Sequence, residues 1–310
     1  MESKNEMVLI GLGRIGYKGF PQTHFKSAIV NNLNVVAGVD SSAAARARFT
    51  SETGIPSYKT LAELNEENWS SFFSVATSND AGFDVLSNLL SRKGPQGILA
   101  EKPFCSSSAQ SHQILTLQAN VQTPLRINYI RQYTKAMSVT RSIIANSRFI
   151  SGVVIYSSGL RENGSHFIRL ICALFPSIIS SQNITSIDGA QFSLQISDNR
   201  KIDFVALESP FLHTSEIRLI FEDLSVSISE GFKIEIRRIN SNSMIRNWPR
   251  ELELILDSDL SDGFESSYLD QSWWRSPNQR SISEELKLDH LCNELIEKVL
   301  IQNFSKFEEI

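Results

Sequence analysis

Val8-Leu9-Ile10-Gly11-Leu12-Gly13-Arg14-Ile15-Gly16 runs from an apolar strand straight into the spacing G-x-G-x-x-G. The first glycine permits a tight turn, the second lets the backbone approach a pyrophosphate, and the third lets the following segment pack close to the strand. A helix beyond the turn would present free N–H groups to the anion. Alone, the motif also fits an ordinary glycine-rich turn. Its place at the first strand argues against that reading, as does the acid ending the second strand, Asp40 in Val36-Ala37-Gly38-Val39-Asp40. Asp40 lies 24 residues after Gly16, near the distance at which an acid holds the ribose hydroxyls of NAD. Gly19 and Pro21 lie between them, so the first helix is expected to start late, after an inserted loop. A methyltransferase also uses a glycine-rich first turn on a similar sheet, but the three-glycine spacing favours a dinucleotide.

Outward from this turn, apolar β-type runs at Met7 to Ile10, Val35 to Val39, Phe72 to Ala76, Gly97 to Ala100 and Leu125 to Tyr129 alternate with helical patterns. The helices are expected at Phe25 to Asn31, Ala43 to Thr53, Ala81 to Ser91 and Ser106 to Asn120. Such alternation predicts an α/β fold with a doubly wound parallel Rossmann sheet. The pattern changes after Arg131: a helix near Lys135 to Ala145, a strand at Gly152 to Ser157 and a helix near Ser165 to Phe175 precede a run of strands. Those strands are Ile184 to Ile187, Gln191 to Ile196, Ile202 to Glu208, Glu216 to Phe221, Leu224 to Ser229 and Phe232 to Arg238. Hairpin breaks such as Glu222-Asp223 predict a C-terminal α+β domain on a largely antiparallel sheet. Residues Asp257 to Ser283 are polar, and a helix is expected from about 283 to 300. The division predicted is therefore 1–130 and 131–310.

Composition narrows the classes of function. The 310 residues are 41% hydrophobic and 21% charged, as in a globular chain able to bury a core, and too long for a single one. A net charge of -4 offers no grip on a phosphate backbone, so nucleic acid is not an expected partner. Cys105, Cys172 and Cys292 are odd in number and far apart, which predicts neither a disulfide framework nor a metal site. The start Met1-Glu2-Ser3-Lys4-Asn5-Glu6 has no basic, apolar leader, and the most apolar long segment, Phe167 to Ile179, is broken by Arg169 and Pro176. A cytoplasmic protein with no membrane span is expected.

Two further stretches carry chemistry. Glu101-Lys102-Pro103 follows the fourth apolar strand of the first half, at the side of a doubly wound sheet where ligands bind. Tyr156-Ser157-Ser158-Gly159-Leu160-Arg161-Glu162-Asn163-Gly164-Ser165-His166 puts a histidine at the start of an apolar helix. Taken singly, Lys102 reads more readily as a solvated loop lysine, and His166 as readily structural as catalytic. Together with the glycine turn, they make the chain resemble the Gfo/Idh/MocA oxidoreductases. Thr23-His24, Val36 to Asp40, Asn128-Tyr129-Ile130-Arg131 and the Tyr156 to His166 run resemble, more narrowly, a subgroup associated with bacterial capsule and lipopolysaccharide loci.

The resemblance implies that Gly11, Gly13, Arg14, Ile15, Gly16, Asp40, Thr77, Ser78, Asn79, Glu101 and Lys102 bind NAD, with NADP as the alternative. It also implies that Lys102 and His166 are catalytic and that the substrate is sugar-like. Asn128, Arg131, Glu162, Asn163 and Arg169 join Lys102 and His166 as candidate substrate contacts. Moving a hydride from a carbinol carbon needs a group that removes the hydroxyl proton, and a lysine in a partly desolvated cleft suits that work. Lys102 is the preferred acid/base and His166 its partner; the reverse assignment stays open. A homo-oligomer through the C-terminal sheet is also implied.

The chain departs from the resemblance at Glu162, where members have Asp or His, and at Arg169, where many have Asp. Ser158 replaces a frequent Lys, and Gly82 a frequent His. Arg169 shares a helix face with His166 and suits either an anionic substrate group or an ion pair with a nearby acid such as Glu162. The competing function is a cofactor-loaded sensor or scaffold without turnover.

Overall fold

A computed structural model describes residues 5–19, 23–121, 123–129, 135–157, 159–175, 184–188, 191–197, 200–207, 215–229, 233–239, 252–259 and 282–305. By internal contacts the chain divides into two units, Met1–Tyr129 with Glu265–His290, and Ile130–Phe264 with Leu291–Ile310.

The first unit is built on strands β1 (Glu6–Ile10), β2 (Asn34–Val39), β3 (Ser57–Tyr58), β4 (Phe72–Val75), β5 (Gly97–Ala100) and β6 (Leu125–Ile127), all parallel in the order β3-β2-β1-β4-β5-β6. β4 and β5 are buried at every residue, which is why they read as unbroken apolar runs rather than as alternation. Helices α1 (His24–Val30), α2 (Ala43–Thr53), α3 (Asn79–Leu90) and α4 (Ser108–Asn120) connect them. Right-handed crossovers put the first pair on one face and the second pair on the other. Side-chain oxygens of Thr23, Ser42 and Ser107 accept N–H groups of the first turns of α1, α2 and α4, and Gly54 ends α2 in the left-handed region at φ 72°. As expected from Gly19 and Pro21, α1 starts only at His24.

Tyr17, Phe25 and Phe49 meet edge to face over β2, where a Cβ on Gly38 would stand 2.8 Å from the Phe49 ring. Glycine at position 38 is thus what lets α2 lie close to the sheet.

The second unit opens with α5 (Lys135–Ile144), β7 (Phe149–Ser157), a π-helical turn over Gly159–Gly164 and α6 (Ser165–Leu174). β8 (Ile184–Asp188), β9 (Gln191–Ser197), β10 (Arg200–Leu207), β11 (Ser215–Phe221), β12 (Leu224–Ile228), β13 (Lys233–Ile239) and β14 (Leu252–Asp259) follow. The sheet order is β14-β13-β12-β11-β7-β10-β9-β8. Every pairing is antiparallel except β7 with β10, because α6 and the β8–β9 hairpin intervene and return the chain in the direction of β7. The sheet is largely antiparallel, as predicted, with a mixed centre. β14 was not anticipated; it occupies Leu252-Glu253-Leu254-Ile255-Leu256 and the first polar residues after it.

One face of this sheet holds the core: Val154, Tyr156, Ile202, Phe204, Ile217, Leu219 and Val226 are all buried, and Phe192 stacks on Phe204 at 4.4 Å. α7 (Ile282–Ser305) is longer at both ends than the predicted 283–300.

Candidate cofactor and catalytic site

The sheet of the first unit continues its ladder past the strand ends, and that extension lines up the motifs. Gly11 N–H donates to the Val39 carbonyl at 2.8 Å, Ala76 N–H to Ile10 at 2.7 Å, Glu101 N–H to Val75 at 2.8 Å and Asn128 N–H to Ala100 at 2.7 Å. Asp40, Gly11, Ala76, Glu101 and Asn128 therefore stand in consecutive rows along the carboxyl edge of one sheet, each about 4.8 Å from the next, and Thr77 follows directly on Ala76. This is the edge where open α/β sheets bind ligands.

Gly11 has φ 89°, and a Cβ there would meet the Ala76 carbonyl oxygen at 2.4 Å; a Cβ on Gly16 would meet the Gly11 carbonyl oxygen at 1.8 Å. These two glycines are required by the turn itself. Gly13 is different, because nothing lies within 4 Å of its Cβ position, so its missing side chain leaves space outside the turn. Within this turn, Tyr17 and Lys18 N–H groups go to the Gly13 carbonyl, while those of Gly13, Ile15 and Gly16 have no acceptor among the described residues. The anion donors expected from the first helix thus come from the turn, since α1 starts only at His24, eight residues after Gly16.

A cavity of about 590 Å³ opens beside the turn, lined by Gly11, Gly13, Asp40, Thr77, Ser78 and the unanticipated Lys59, among others. Asp40 accepts the Leu12 N–H on Oδ2 and the Ser42 N–H on Oδ1, both at 2.8 Å, so each oxygen keeps a lone pair for a hydroxyl. Arg46 Nη1 donates to the Asp40 and Ser41 carbonyls at 2.7 and 3.0 Å. Lys59 follows β3, whose two residues are too short a run to leave a signal in the sequence. An adenosine ribose, a pyrophosphate and an adenine find, in order, an acid, free amides with open space, and a partly apolar cavity. The residues fit NAD.

Lys102 is half-buried and follows Glu101, whose Oε1 accepts Asn128 Nδ2 at 2.6 Å and bonds to His24 Nε2 at 2.7 Å. Asn128, expected among the substrate contacts, is 3% exposed and gives its amide to Glu101. Ser78 is the N-cap of α3, and Asn79 is the first residue of that helix. Arg131 lies outside the described residues.

In the second unit the π-helical turn delivers the histidine. Gly159, at φ 80°, lets the chain reverse after β7, and the Glu162 carboxylate folds over it, where a Cβ would stand 2.5 Å from Oε2. Asn163 Nδ2 donates to the Ser157 carbonyl at 2.9 Å, tying the turn to the end of β7. A Cβ on Gly164 would meet the Tyr156 ring at 2.8 Å, so only glycine lets α6 begin so close to the strand. His166 is then the second residue of α6 and half-buried, whereas Arg169, one turn on, has no exposed surface. π-turns of this kind are frequent at functional sites.

Residues 6–129 match the family model described as the oxidoreductase family with NAD-binding Rossmann fold, GFO_IDH_MocA. No curated protein matches the chain. Among solved structures, a dehydrogenase from Chromobacterium violaceum superposes with a TM-score of 0.77 at 12% identity, covering 98% of this chain and 96% of that one. A UDP-N-acetylglucosamine 3-dehydrogenase from Acidithiobacillus ferrooxidans gives 0.72 at 10% identity, with 97% of each chain covered. A variant of a 3-ketoreductase from Actinomadura kijaniata, in complex with TDP-benzene and NADP, gives 0.72 at 13% identity, covering 96% and 97%. At such identities the likeness is one of fold. Over residues 6–129 the chain is similar to the NAD-binding Rossmann domain of the Gfo/Idh/MocA oxidoreductases.

Proposed function

We propose that this chain is an NAD(P)-dependent oxidoreductase acting between an alcohol and a ketone of a sugar, sugar nucleotide or acid sugar, in bacterial surface-polysaccharide biosynthesis. The observation that carries the reading is the alignment of Asp40, the glycine turn, Thr77 and Glu101-Lys102 along one sheet edge, in a domain of an oxidoreductase family. The nicotinamide, when bound, supplies the hydride acceptor or donor. Asp40 holds the adenosine ribose, the turn amides hold the pyrophosphate, and Lys102 Nζ takes the hydroxyl proton during oxidation or returns one to the ketone oxygen during reduction. His166 is its proposed partner in that proton transfer. Oxidation thus removes one hydride and one proton from the carbinol, and the reverse reaction restores both.

The substrate class is drawn from the 3-dehydrogenase of UDP-N-acetylglucosamine and the 3-ketoreductase bound to a TDP ligand, both of which share the fold. No helix among the described residues is long and apolar enough to cross a membrane, and a cytoplasmic location is part of the proposal. A homo-oligomer through the second sheet belongs to it too: Ile150 and Ile220, 45% and 42% exposed, lie on the neighbouring strands β7 and β11.

The test is a screen of NAD+ and NADP+ reduction by absorbance across UDP-sugars, TDP-sugars, free sugars and acid sugars, with reduced cofactor and the matching ketones in reverse. Turnover with a nucleotide sugar is the expected result. Cofactor binding without turnover on any of these classes would replace the enzyme with the sensor reading.

A further inference from the structure

His24 is buried without exposed surface, yet no step of the proposed reaction uses it. Its backbone N–H donates to the Ile15 carbonyl of the glycine turn at 3.0 Å, and Phe25 N–H donates to Gly16 at 2.9 Å. Its ring bonds in two directions, through Nδ1 to Ser74 Oγ on β4 and through Nε2 to Glu101 Oε1 at 2.7 Å. Asn128 Nδ2 reaches the same oxygen at 2.6 Å. An amide nitrogen only donates, so Oε1 is an acceptor and His24 Nε2 meets it as a second donor. Oε2 of Glu101 bonds to nothing among the described residues.

We propose that His24 is a positioning residue: one side chain ties the glycine turn to the Glu101-Lys102-Pro103 turn, and with Asn128 it grips a single oxygen of Glu101 from inside the domain. The proposal rests on the reading that Glu101-Lys102-Pro103 borders the nicotinamide. Its consequence is that the pyrophosphate end and the nicotinamide end of the cofactor site are held in one register. The late start of α1 has a purpose on this account. A helix starting directly at Gly16 would put a different residue at its first position, whereas the start at His24 brings a histidine to Ser74 of β4 and to Glu101, the residue after β5.

A proton relay is the other use for a histidine between a serine and a carboxylate. Ser74 is itself fully buried on β4, a strand buried at every residue, so the chain of bonds ends inside the sheet. It can hold Glu101 in place but has no exit for a proton. The network is a strut.

The experiment separates the two halves of the cofactor. Wild type, His24→Leu and His24→Gln are titrated by calorimetry with NADH and with ADP-ribose, which lacks the nicotinamide. Loss of the strut is expected to weaken NADH about tenfold, the scale of a buried hydrogen bond to a charged group, while ADP-ribose stays within about twofold. Glutamine, whose amide reaches the position of Nε2, should recover most of the NADH affinity. Should His24→Leu not fold, Asn128→Leu removes the second donor to Oε1 and should show the same selective loss. Equal losses for both ligands, or none for either, in whichever of these variants folds, would overturn the strut. A wild type that binds neither NADH nor ADP-ribose would instead overturn the cofactor reading beneath it.

Discussion

Leu12 N–H and Asp40 Oδ2 are joined by a hydrogen bond of 2.8 Å, so the turn that would cradle the pyrophosphate and the acid that would hold the ribose are one piece of structure. The acid has two duties, and a substitution that frees one disturbs the other. Arg46, a cation close enough to Asp40 to receive a 2′-phosphate, gives Nη1 to the Asp40 and Ser41 carbonyls. NAD(H) should therefore be preferred to NADP(H), because a phosphate would meet the Asp40 carboxylate. Asp40→Ser should weaken NADH and at the same time narrow or reverse the preference, with Arg46 beside position 40 and Lys59 at the same cavity as cations for the phosphate. Calorimetric titration with both cofactors checks this; an unchanged ratio in Asp40→Ser would remove Asp40 as the selecting group.

Lys102→Ala should keep NADH affinity and lose turnover by about 10²-fold or more if proton transfer is its role. His166→Ala should also slow turnover, and the double variant should lose less than the product of the two if they act as a unit. These rates are to be measured on whichever substrate the screen returns, under conditions where chemistry limits. Near wild-type rates in Lys102→Ala would take it out of the mechanism.

The elements that carry local patterns are legible in the sequence. The glycine turn, Asp40 and the Glu101-Lys102-Pro103 stretch each sit within a few residues of a strand end, where apolar runs and turn chemistry mark them. The pairs that hold the site together were not readable, because His24 and Glu101 are 77 residues apart and only a folded sheet brings them into contact. The same applies to the parallel pairing of β7 with β10, which follows from where α6 and a hairpin return the chain rather than from either strand's own residues. Lys59 was missed for want of length in β3, and β14 because its apolar stretch abuts a polar segment.

Burial pushes the Cys105 thiol up to about 12 from its ordinary 9.0 and raises the Tyr156 phenol above 10.0. The Tyr17 phenol is pushed up to about 12, by burial first and then by the Glu52 carboxylate that accepts its hydrogen bond at 2.7 Å. The folded chain keeps these protons at pH values where the unfolded chain has released them. Stability from this source is intact below about pH 9 and falls as pH rises towards about 12. Thermal unfolding followed across that range should show the fall, and Cys105→Ala should flatten it; the same slope in both would deny the thiol a part. In the native state at pH 8, iodoacetamide should leave Cys105, Cys172 and Cys292 unmodified, since all are buried.

Arg169 poses the sharpest choice between structure and substrate. It lies one helical turn beyond His166, which suits a guanidinium that receives a carboxylate or phosphate. Among the described residues it is also the largest of the fully buried side chains, with 0% exposure, and it engages at least one neighbouring group within the chain. A guanidinium without exposed surface turns no N–H to solvent where a diffusing anion would meet it, and removing it strands whatever it bonds in a site of low dielectric. Arg169→Met keeps most of the volume and removes the charge and the donors, so it should cost about 1–3 kcal/mol of stability, the scale of leaving a buried hydrogen-bonding group unsatisfied. It should then lower kcat/KM for matched neutral and anionic substrates by the same factor, measured well below its melting temperature. The substrate role would be restored by the opposite pattern: a denaturation midpoint close to wild type together with a loss confined to the anionic substrate, on the order of 1.5–3 kcal/mol for one charge-assisted contact.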